Sequence, residues 1–406
     1  VSRVDDLIAE LCPSGVPFRT LAETAEVSSG ATPSKTVAAY WTDGTIPWLS
    51  SGEVNKGTIY EADTFITQAG YDSCSTKIVS SGSVVMALAG QGKTRGMVAR
   101  TRLDCCTNQS LASIVPKSEL DSDFLFYFLK TQYSRLRDVS SGDGTRGGLN
   151  LQMIRAYTVP VPPLEVQREI VRILDQYTQL EAELEAELEA RRRQYEHYRT
   201  EVFAFPEDGG VRWSSLGSIS AKVSSGGTPS SGRDAYYGGH IPWLRTQEVD
   251  FGSVDSTSMS ITEEGLRNSS AKWIPKHCVI VAMYGATAAK VAINEIPLTT
   301  NQACCNLQID PEQAEHRYVF YWIASQYQRL KNLGEGSQSN LNARKVKDFP
   351  IPVPSLDEQR KIVRLLDKFD ALVNDLSFGL PAELLARRKQ YEYYRDKLLT
   401  FEEAAA

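Results

Sequence analysis

The chain has 406 residues, of which 42% are apolar and 23% charged, and a formal net charge of -6. That length accommodates two or more domains, each able to bury its own core. The mean hydropathy of -0.29, with no apolar run as long as a membrane span and no secretory segment at the start, excludes a membrane class and points to the cytoplasm.

Seven cysteines make an odd count, and no C-x-x-C occurs, so neither a zinc ribbon nor a redox motif is supported. The adjacent pairs Cys105-Cys106 and Cys304-Cys305 are expected at equivalent repeat positions, as buried strand residues in a reducing compartment. The four histidines, His197, His240, His277 and His316, are scattered without metal-ligand spacing, and no metal is expected.

In chain order, residues 3–12 predict a short amphipathic helix carrying Val4, Leu7, Ile8 and Leu11, ended by Cys12-Pro13-Ser14-Gly15. Its apolar residues are placed to cover the end of a longer helix. The segment up to residue 158 opens with Ser28-Ser29-Gly30-Ala31-Thr32-Pro33-Ser34 and continues through Tyr40-Trp41 to Ile46-Pro47-Trp48-Leu49. Apolar runs at 83–89 and 97–99 predict strands, Asn108-Gln109-Ser110 follows, and 124–136 predicts an aromatic helix. A Gly/Ser loop then closes on Leu149-Asn150.

From 159 to 205 the pattern changes to a Pro-rich lead-in, Q-R-x-I-V-R-x-L-D, and an amphipathic stretch ending in A-R-R-x-Q-Y-E-x-Y-R. Beyond Ile170 the apolar positions Ile173, Tyr177, Leu180, Leu184, Leu188, Tyr195, Tyr198 and Val202 fall at steps of three and four, with one extra four-step. That is a coiled-coil stripe with a stutter, on a helix of roughly 60 Å.

Everything then recurs. Residues 206–349 carry Ser224-Ser225-Gly226-Gly227-Thr228-Pro229-Ser230, Tyr236-Tyr237, Ile241-Pro242-Trp243-Leu244, strand runs at 279–284 and 291–293, Asn301-Gln302-Ala303, an aromatic helix at 318–330 and a loop closing on Leu341-Asn342. Residues 350–402 repeat the long helix, with Gln359 matching Gln167 and Arg387 matching Arg191. The two offsets differ by four residues, inserted around 377–381, which is about one helical turn. Gly379 and Pro381 in that insertion are expected to weaken or kink the helix.

The expected fold is therefore α+β: two globular α+β domains separated by two long antiparallel coiled-coil helices, in an internal pseudo-two-fold repeat. The boundaries are 1–158, 159–205, 206–349 and 350–402. Charge follows this plan, since residues 19–155 carry +1 and 212–347 carry +3, while the remainder holds -10. The acid sits on the helices, so the globular segments remain compatible with nucleic acid.

The repeated P-x-P-[PS]-L-x-x-Q-R-x-I-V-R-x-L-D, the A-R-R-x-Q-Y-E-x-Y-R ends and the S-S-G-x-T-P-S…I-P-W starts resemble the specificity subunit of type I restriction-modification systems, over nearly the whole chain. The resemblance implies that each variable segment is a target recognition domain reading one half of a bipartite site on double-stranded DNA. It implies that the helices fix the gap between half-sites and dock two modification subunits. Those partners bring S-adenosylmethionine and methylate adenine, and restriction subunits join the full complex. It implies no catalysis and no cofactor on this chain. The residues agree, because no D/N-P-P motif occurs and no carboxylate pair recurs outside the helices. A protein-binding coiled-coil scaffold and a solitary DNA-binding regulator are the rival classes, and neither accounts as well for two similar, separately varying domains.

Candidate DNA contacts are the residues of loops and of repeat positions that differ between halves. Ala87 to Thr94 imitates a P-loop, but Ala87 stands where its first glycine is needed and the second half lacks the G-K-[ST] ending. The better reading is a strand-to-strand loop bearing Lys93, Arg95 and Arg100, either a solvated tip or a contact to phosphates and bases. Asn108, Gln109, Asn301 and Gln302 suit adenine edges, or equally close strand ends. Trp48 and Trp243 read as core anchors. Beyond them Ser50, Ser51 and Lys56 in one half face Arg245, Thr246 and Gln247 in the other, and Arg245 and Gln247 rank highest. Arg146, Arg233, Lys290, Gln338 and Asn340 complete the set. The basic runs 191–193 and 387–389 read as solvated or partner-facing helix surface.

Overall fold

Small and β-branched apolar residues at Val84–Ala87, Val98–Thr101 and Leu111–Pro116 form the centre of a first sheet. The strand order is Ala25–Ser29, Leu111–Pro116, Val84–Ala87, Val98–Thr101, Thr58–Ile59, antiparallel except for the last, parallel pair. A smaller sheet joins Phe65–Ile66, Ile46–Leu49 and Cys106–Thr107. The helix Ser122–Thr131 lays six consecutive buried residues, Phe124 to Leu129, into the core. These coordinates are a computed structural model that describes residues 2–89, 94–139, 148–205, 210–334, 340–374 and 377–404.

The chain divides into two units, Val1–Glu183 with Leu384–Ala406, and Leu184–Glu383. The second unit repeats the first's architecture. Its five-stranded sheet runs Ser220–Ser225, Cys304–Ile309, Val279–Ala282, Val291–Asn294, Ser253–Val254, and its four-stranded sheet Ser260–Ile261, Tyr237–Leu244, Leu298–Thr300, Trp273–Ile274. The helix His316–Ser325 buries Tyr318 to Ala324. The α+β class and the internal repeat are those read from the sequence. The aromatic helices are shorter than expected: each breaks at a glutamine, Gln132 or Gln326, before a second short helix, Tyr133–Val139 or Tyr327–Lys331.

The inference about the cysteine pairs is wrong. Cys105-Cys106 and Cys304-Cys305 are not at equivalent repeat positions. In register with Asn108 and Asn301, Cys106 pairs with Trp48 where Thr299 pairs with Trp243, whereas Cys304 and Cys305 open the strand matching Leu111–Pro116. All four are buried, and burial pushes the thiols of Cys105, Cys304 and Cys305 up to about 12. At neutral pH they are packing residues rather than nucleophiles.

The first long helix is unbroken over Leu164–Glu201, about 57 Å at 1.5 Å per residue. Its stripe carries no stutter. Leu180 is 45% exposed, and Glu181 holds the seam position instead, so that 170, 174, 177, 181, 184, 188, 191, 195 and 198 alternate steps of four and three. Counting apolar residues alone hid this, because Glu181 and Arg191 sit in the seam. In the first unit Tyr177 meets Tyr394 and Tyr391 at 5.8 and 6.4 Å, and Glu181 pairs with Arg388 at 2.6 Å. Partner numbers fall as helix numbers rise, so the pairing is antiparallel. In the second unit Tyr195 and Tyr198 pack on Phe369 at 6.2 and 5.3 Å.

The second long helix is interrupted, as Gly379 and Pro381 predict. It forms Leu356–Asn374 and Leu380–Leu398. Gly379 has φ 84°, and a Cβ there would meet the Ala371 carbonyl oxygen at 2.6 Å, so the close return of the chain requires glycine. Pro381 lies in the first turn of the new helix, where its missing N–H costs nothing. The N-terminal helix Ser2–Leu11 covers the start of the first long helix, with Val4, Leu7 and Ile8 packed in the cluster that holds Val166, Ile170, Leu398 and Leu399.

Candidate nucleic-acid interface

Each domain builds the same frame from the same motif residues. In S-S-G-x-T-P-S the glycine lies against the neighbouring strand: a Cβ on Gly30 would stand 1.7 Å from the Thr107 carbonyl oxygen, and one on Gly226 1.9 Å from that of Thr300. The indole N–H of Trp48 donates to the Ala31 carbonyl at 3.0 Å, and that of Trp243 to Gly227 at 2.9 Å. The tryptophans are therefore anchors. The threonine donates its hydroxyl to the exposed glutamine of the Asn-Gln pair, Thr32 to Gln109 at 2.6 Å and Thr228 to Gln302. Asn108 and Asn301 turn their carbonyl oxygens inward to accept the N–H of Ser110 and Ala303. These asparagines close a turn, and the glutamines beside them are the amides that face outward. Replacing Gly30 with alanine is expected to destabilise the first unit by about 2 kcal/mol, because a backbone carbonyl has to move. Equilibrium unfolding of Gly30→Ala would measure it, and a loss under 0.5 kcal/mol would refute the close approach.

A buried carboxylate completes the frame. Glu53, 4% exposed, accepts the N–H groups of Ser50 and Asp63 at 3.2 and 3.3 Å. Glu248 accepts those of Arg245 and Ser258 at 3.3 and 2.7 Å. The two domains then diverge. Lys56 bonds Glu53 at 3.2 Å and Asp63 at 2.7 Å, and the hydrogen bond it donates to Asp63 holds its ammonium above the usual lysine range. Its charge is occupied within the fold. Arg245 is partly exposed, its Nη2 is 3.4 Å from Ser258 Oγ, and among the described residues its buried Nε has no hydrogen-bond partner. Donors remain free at that guanidinium. Gln247 beside it is exposed, while Thr246 is buried at 8%. In the first domain a cavity of about 550 Å³ opens between Thr32, Lys35, Trp41, Trp48, Asn108 and Gln109.

The structure removes other candidates. Arg100 is 8% exposed and ion-paired to Asp123 at 3.1 Å and Asp175 at 3.2 Å. Its guanidinium joins strand to helix and is not available to DNA, because the tertiary fold brings in a carboxylate 75 residues away. Lys290 pairs with Asp250 at 2.6 Å. Arg233 is exposed and donates to the Tyr236 hydroxyl at 3.0 Å. Ser51 is partly exposed at the start of the 3-10 turn Ser51–Lys56, Arg95 is half-buried, and Asn340 is exposed. Lys93, Arg146 and Gln338 lie outside the described residues.

Sequence reasoning missed the junction between domain and helix, although its residues stand in the repeated Q-R-x-I-V-R-x-L-D. Gln167 is fully buried; its amide donates to the carbonyls of Pro162 at 2.6 Å and Glu119 at 2.9 Å, and its oxygen accepts the Asp121 N–H at 2.7 Å. Gln359 repeats this with Pro354, Gln313 and Glu315. The terminal aspartate accepts a tyrosine hydroxyl at 2.6 Å in both halves, Tyr127 to Asp175 and Tyr321 to Asp367. Its arginine, however, changes origin. Arg100 comes from a strand, and Arg317, at 2.7 Å from Asp367, comes from the aromatic helix at the position of Asp123. Recurrence of the aspartate was the available signal; the migrating arginine hid its partner.

No described helix is long and apolar enough to cross a membrane, and among the described residues no three His, Cys, Asp or Glu side chains gather to hold a metal ion. The sequence profile of the type I restriction modification DNA specificity domain matches twice, over residues 13–190 and 211–386. The EcoR124I/EcoR124II type I restriction enzyme specificity subunit of Escherichia coli is 38% identical over 291 residues, covering 68% of this chain and 70% of that protein. Solved structures share the fold. One, from work on complex assembly in a type I restriction-modification system, has a TM-score of 0.62 at 18% identity and covers 95% and 98% of the two chains. The S subunit of Thermoanaerobacter tengcongensis has a TM-score of 0.56 at 19% identity, covering 96% and 97%. Twin frames, matched long helices and a twice-matched family domain together make this chain a member of the specificity subunits of type I restriction-modification systems.

Proposed function

We propose that each domain reads one half of a bipartite site on double-stranded DNA, that the long helices set the gap between half-sites and dock two modification subunits, and that the chain itself has no catalysis. The observation that carries this reading is one frame with two fillings. Gly30 and Gly226, Trp48 and Trp243, Thr32 and Thr228, and Glu53 and Glu248 do the same work in both domains. The side chains that the frame presents differ, with Ser50 and Lys56 against Arg245 and Phe251. Two readers of different sequences need this arrangement, since base edges are distinguished by the donors and acceptors offered to them. In this reading S-adenosylmethionine resides on the modification subunits, restriction subunits join the full complex, and the assembly works in the cytoplasm.

Single-molecule methylation mapping of DNA from cells expressing the chain with its modification subunit tests the proposal. The expected result is adenine methylation at a motif of two short half-sites around a fixed gap. If the subunits co-purify and bind S-adenosylmethionine but no bipartite motif appears, the reading fails and a protein-binding scaffold takes its place.

A further inference from the structure

Beside the reading frame of the first domain lies a cavity of about 550 Å³ with an apolar floor, including Val54 and Met97, and a cationic rim of Lys130 and Arg395, with Asn55 and Tyr133 between. Arg137 donates to the Tyr133 hydroxyl at 2.7 Å and adds positive charge. Arg395 is paired with the exposed Asp396 at 2.7 Å. Lys130 is different. Among the described residues no carboxylate lies within ion-pair distance of its ammonium, whose described neighbours include the Phe126 ring at 5.9 Å. Lys130 is exposed; surrounding protein and then Arg395 lower its pKa below the usual lysine range, against the opposing pull of the Glu181 carboxylate.

The second domain differs at the same place. Gly57 accepts the N–H of Arg100 as Gly252 accepts that of Ile293, and Met97 accepts from Ala87 as Lys290 does from Ala282, which fixes the correspondence. By it, Phe251 replaces Lys56, Lys290 replaces Met97 and Ala324 replaces Lys130. The Phe251 ring meets Tyr327 edge-on at 5.2 Å, and Lys290 is neutralised by Asp250 at 2.6 Å. The first domain places an apolar floor and Lys130 where its twin sets the Phe251–Tyr327 ring pair and Ala324.

We infer that this cavity seats one sugar–phosphate unit of the DNA backbone, with the phosphate on Lys130 and the apolar face of the deoxyribose on Val54 and Met97. The inference rests on the reading that this domain binds DNA. Two features favour a nucleic-acid backbone over a free anion. The apolar floor is larger than a phosphate uses, and the cavity adjoins the frame: Asn55 belongs to the turn that starts at Ser51, and Gly96 follows Arg95. A phosphate contact of this kind fixes position on the duplex and carries no sequence information.

The test is binding of the full-length chain to a duplex bearing its mapped target and to a scrambled duplex, over a potassium chloride series. Lys130→Gln should make the slope of log affinity against log salt shallower by about 0.9 and weaken both duplexes about five-fold at 0.15 M salt. Met97→Trp, which fills the floor and leaves every charge in place, should weaken both duplexes as well, so the outcome does not depend on the fold of one variant. Unchanged slope and affinity in both variants would overturn the inference while the wild type's preference for its target left the functional reading intact. Unchanged DNA binding with weakened capture of the modification subunit would also overturn it, and would place a partner carboxylate in the cavity. A wild-type chain that binds neither duplex would remove the functional reading itself.

Discussion

Asp175→Ala should destabilise the first unit by about 3 kcal/mol, the largest loss expected from any single side chain at the junctions. One Asp175 oxygen accepts the Tyr127 hydroxyl at 2.6 Å and both terminal nitrogens of Arg100 at 3.2 Å. Removing it deletes a charge-assisted bond worth about 1.5–3 kcal/mol and leaves the Tyr127 hydroxyl only the long 3.4 Å contact to Thr178, at about 1–3 kcal/mol. The sum stays below the full cost of breaking a buried pair, because Asp175 is 42% exposed and Arg100 keeps Asp123 at 3.1 Å. Amide hydrogen exchange on Val98–Thr101, the strand bearing Arg100, would report the loss locally. Protection unchanged to within 0.5 kcal/mol would show that the strand is held by its ladder alone. Asp367→Ala should cost less, about 2 kcal/mol, since Arg317 is 32% exposed and water replaces part of what it loses.

Arg245→Ala should relax one position in one half-site and leave the other half-site intact. The guanidinium is oriented by Glu248, 4.0 Å from its Nε, and among the described residues its side chain makes one hydrogen bond, the 3.4 Å contact to Ser258. An arginine whose terminal nitrogens are partly exposed is suited to the O6 and N7 of guanine, a pairing worth about 1–3 kcal/mol of discrimination, or roughly 5- to 150-fold. Methylation mapping with the variant would show a guanine in the second domain's half-site becoming degenerate. If methylation disappears because the modification subunit no longer binds, while DNA preference is unchanged, Arg245 belongs to the partner surface instead. The matched position in the first domain is Ser50, so the first half-site should show no change.

The stutter in the first helix was inferred from apolar residues only, and Glu181 supplies the missing seam position through Arg388, more than 200 residues away. The cysteine pairs were matched by appearance, although the strand register around Asn108 and Asn301 separates them. Arg100 reads in the sequence as part of a strand-to-strand loop and lies within a strand, against Asp175. For the helix seam and for Arg100 the deciding partner was distant in sequence.

By itself the sequence determined the two-fold plan, the strand and helix types, the break at Gly379 and Pro381, and the anchoring of Trp48 and Trp243. These follow from periodicity, turn chemistry and motif spacing, which act over a few residues. Only the tertiary structure decided which charges are available. Lys56 and Lys290 are neutralised by nearby carboxylates, and Arg100 is buried against a helix. Arg245 keeps unused donors, and Lys130 has no ion-pair partner among the described residues. Whether a cation can meet a phosphate or a base depends on the carboxylates that folding brings to it, and Coulomb interactions at 3 Å do not register in the order of residues along a chain.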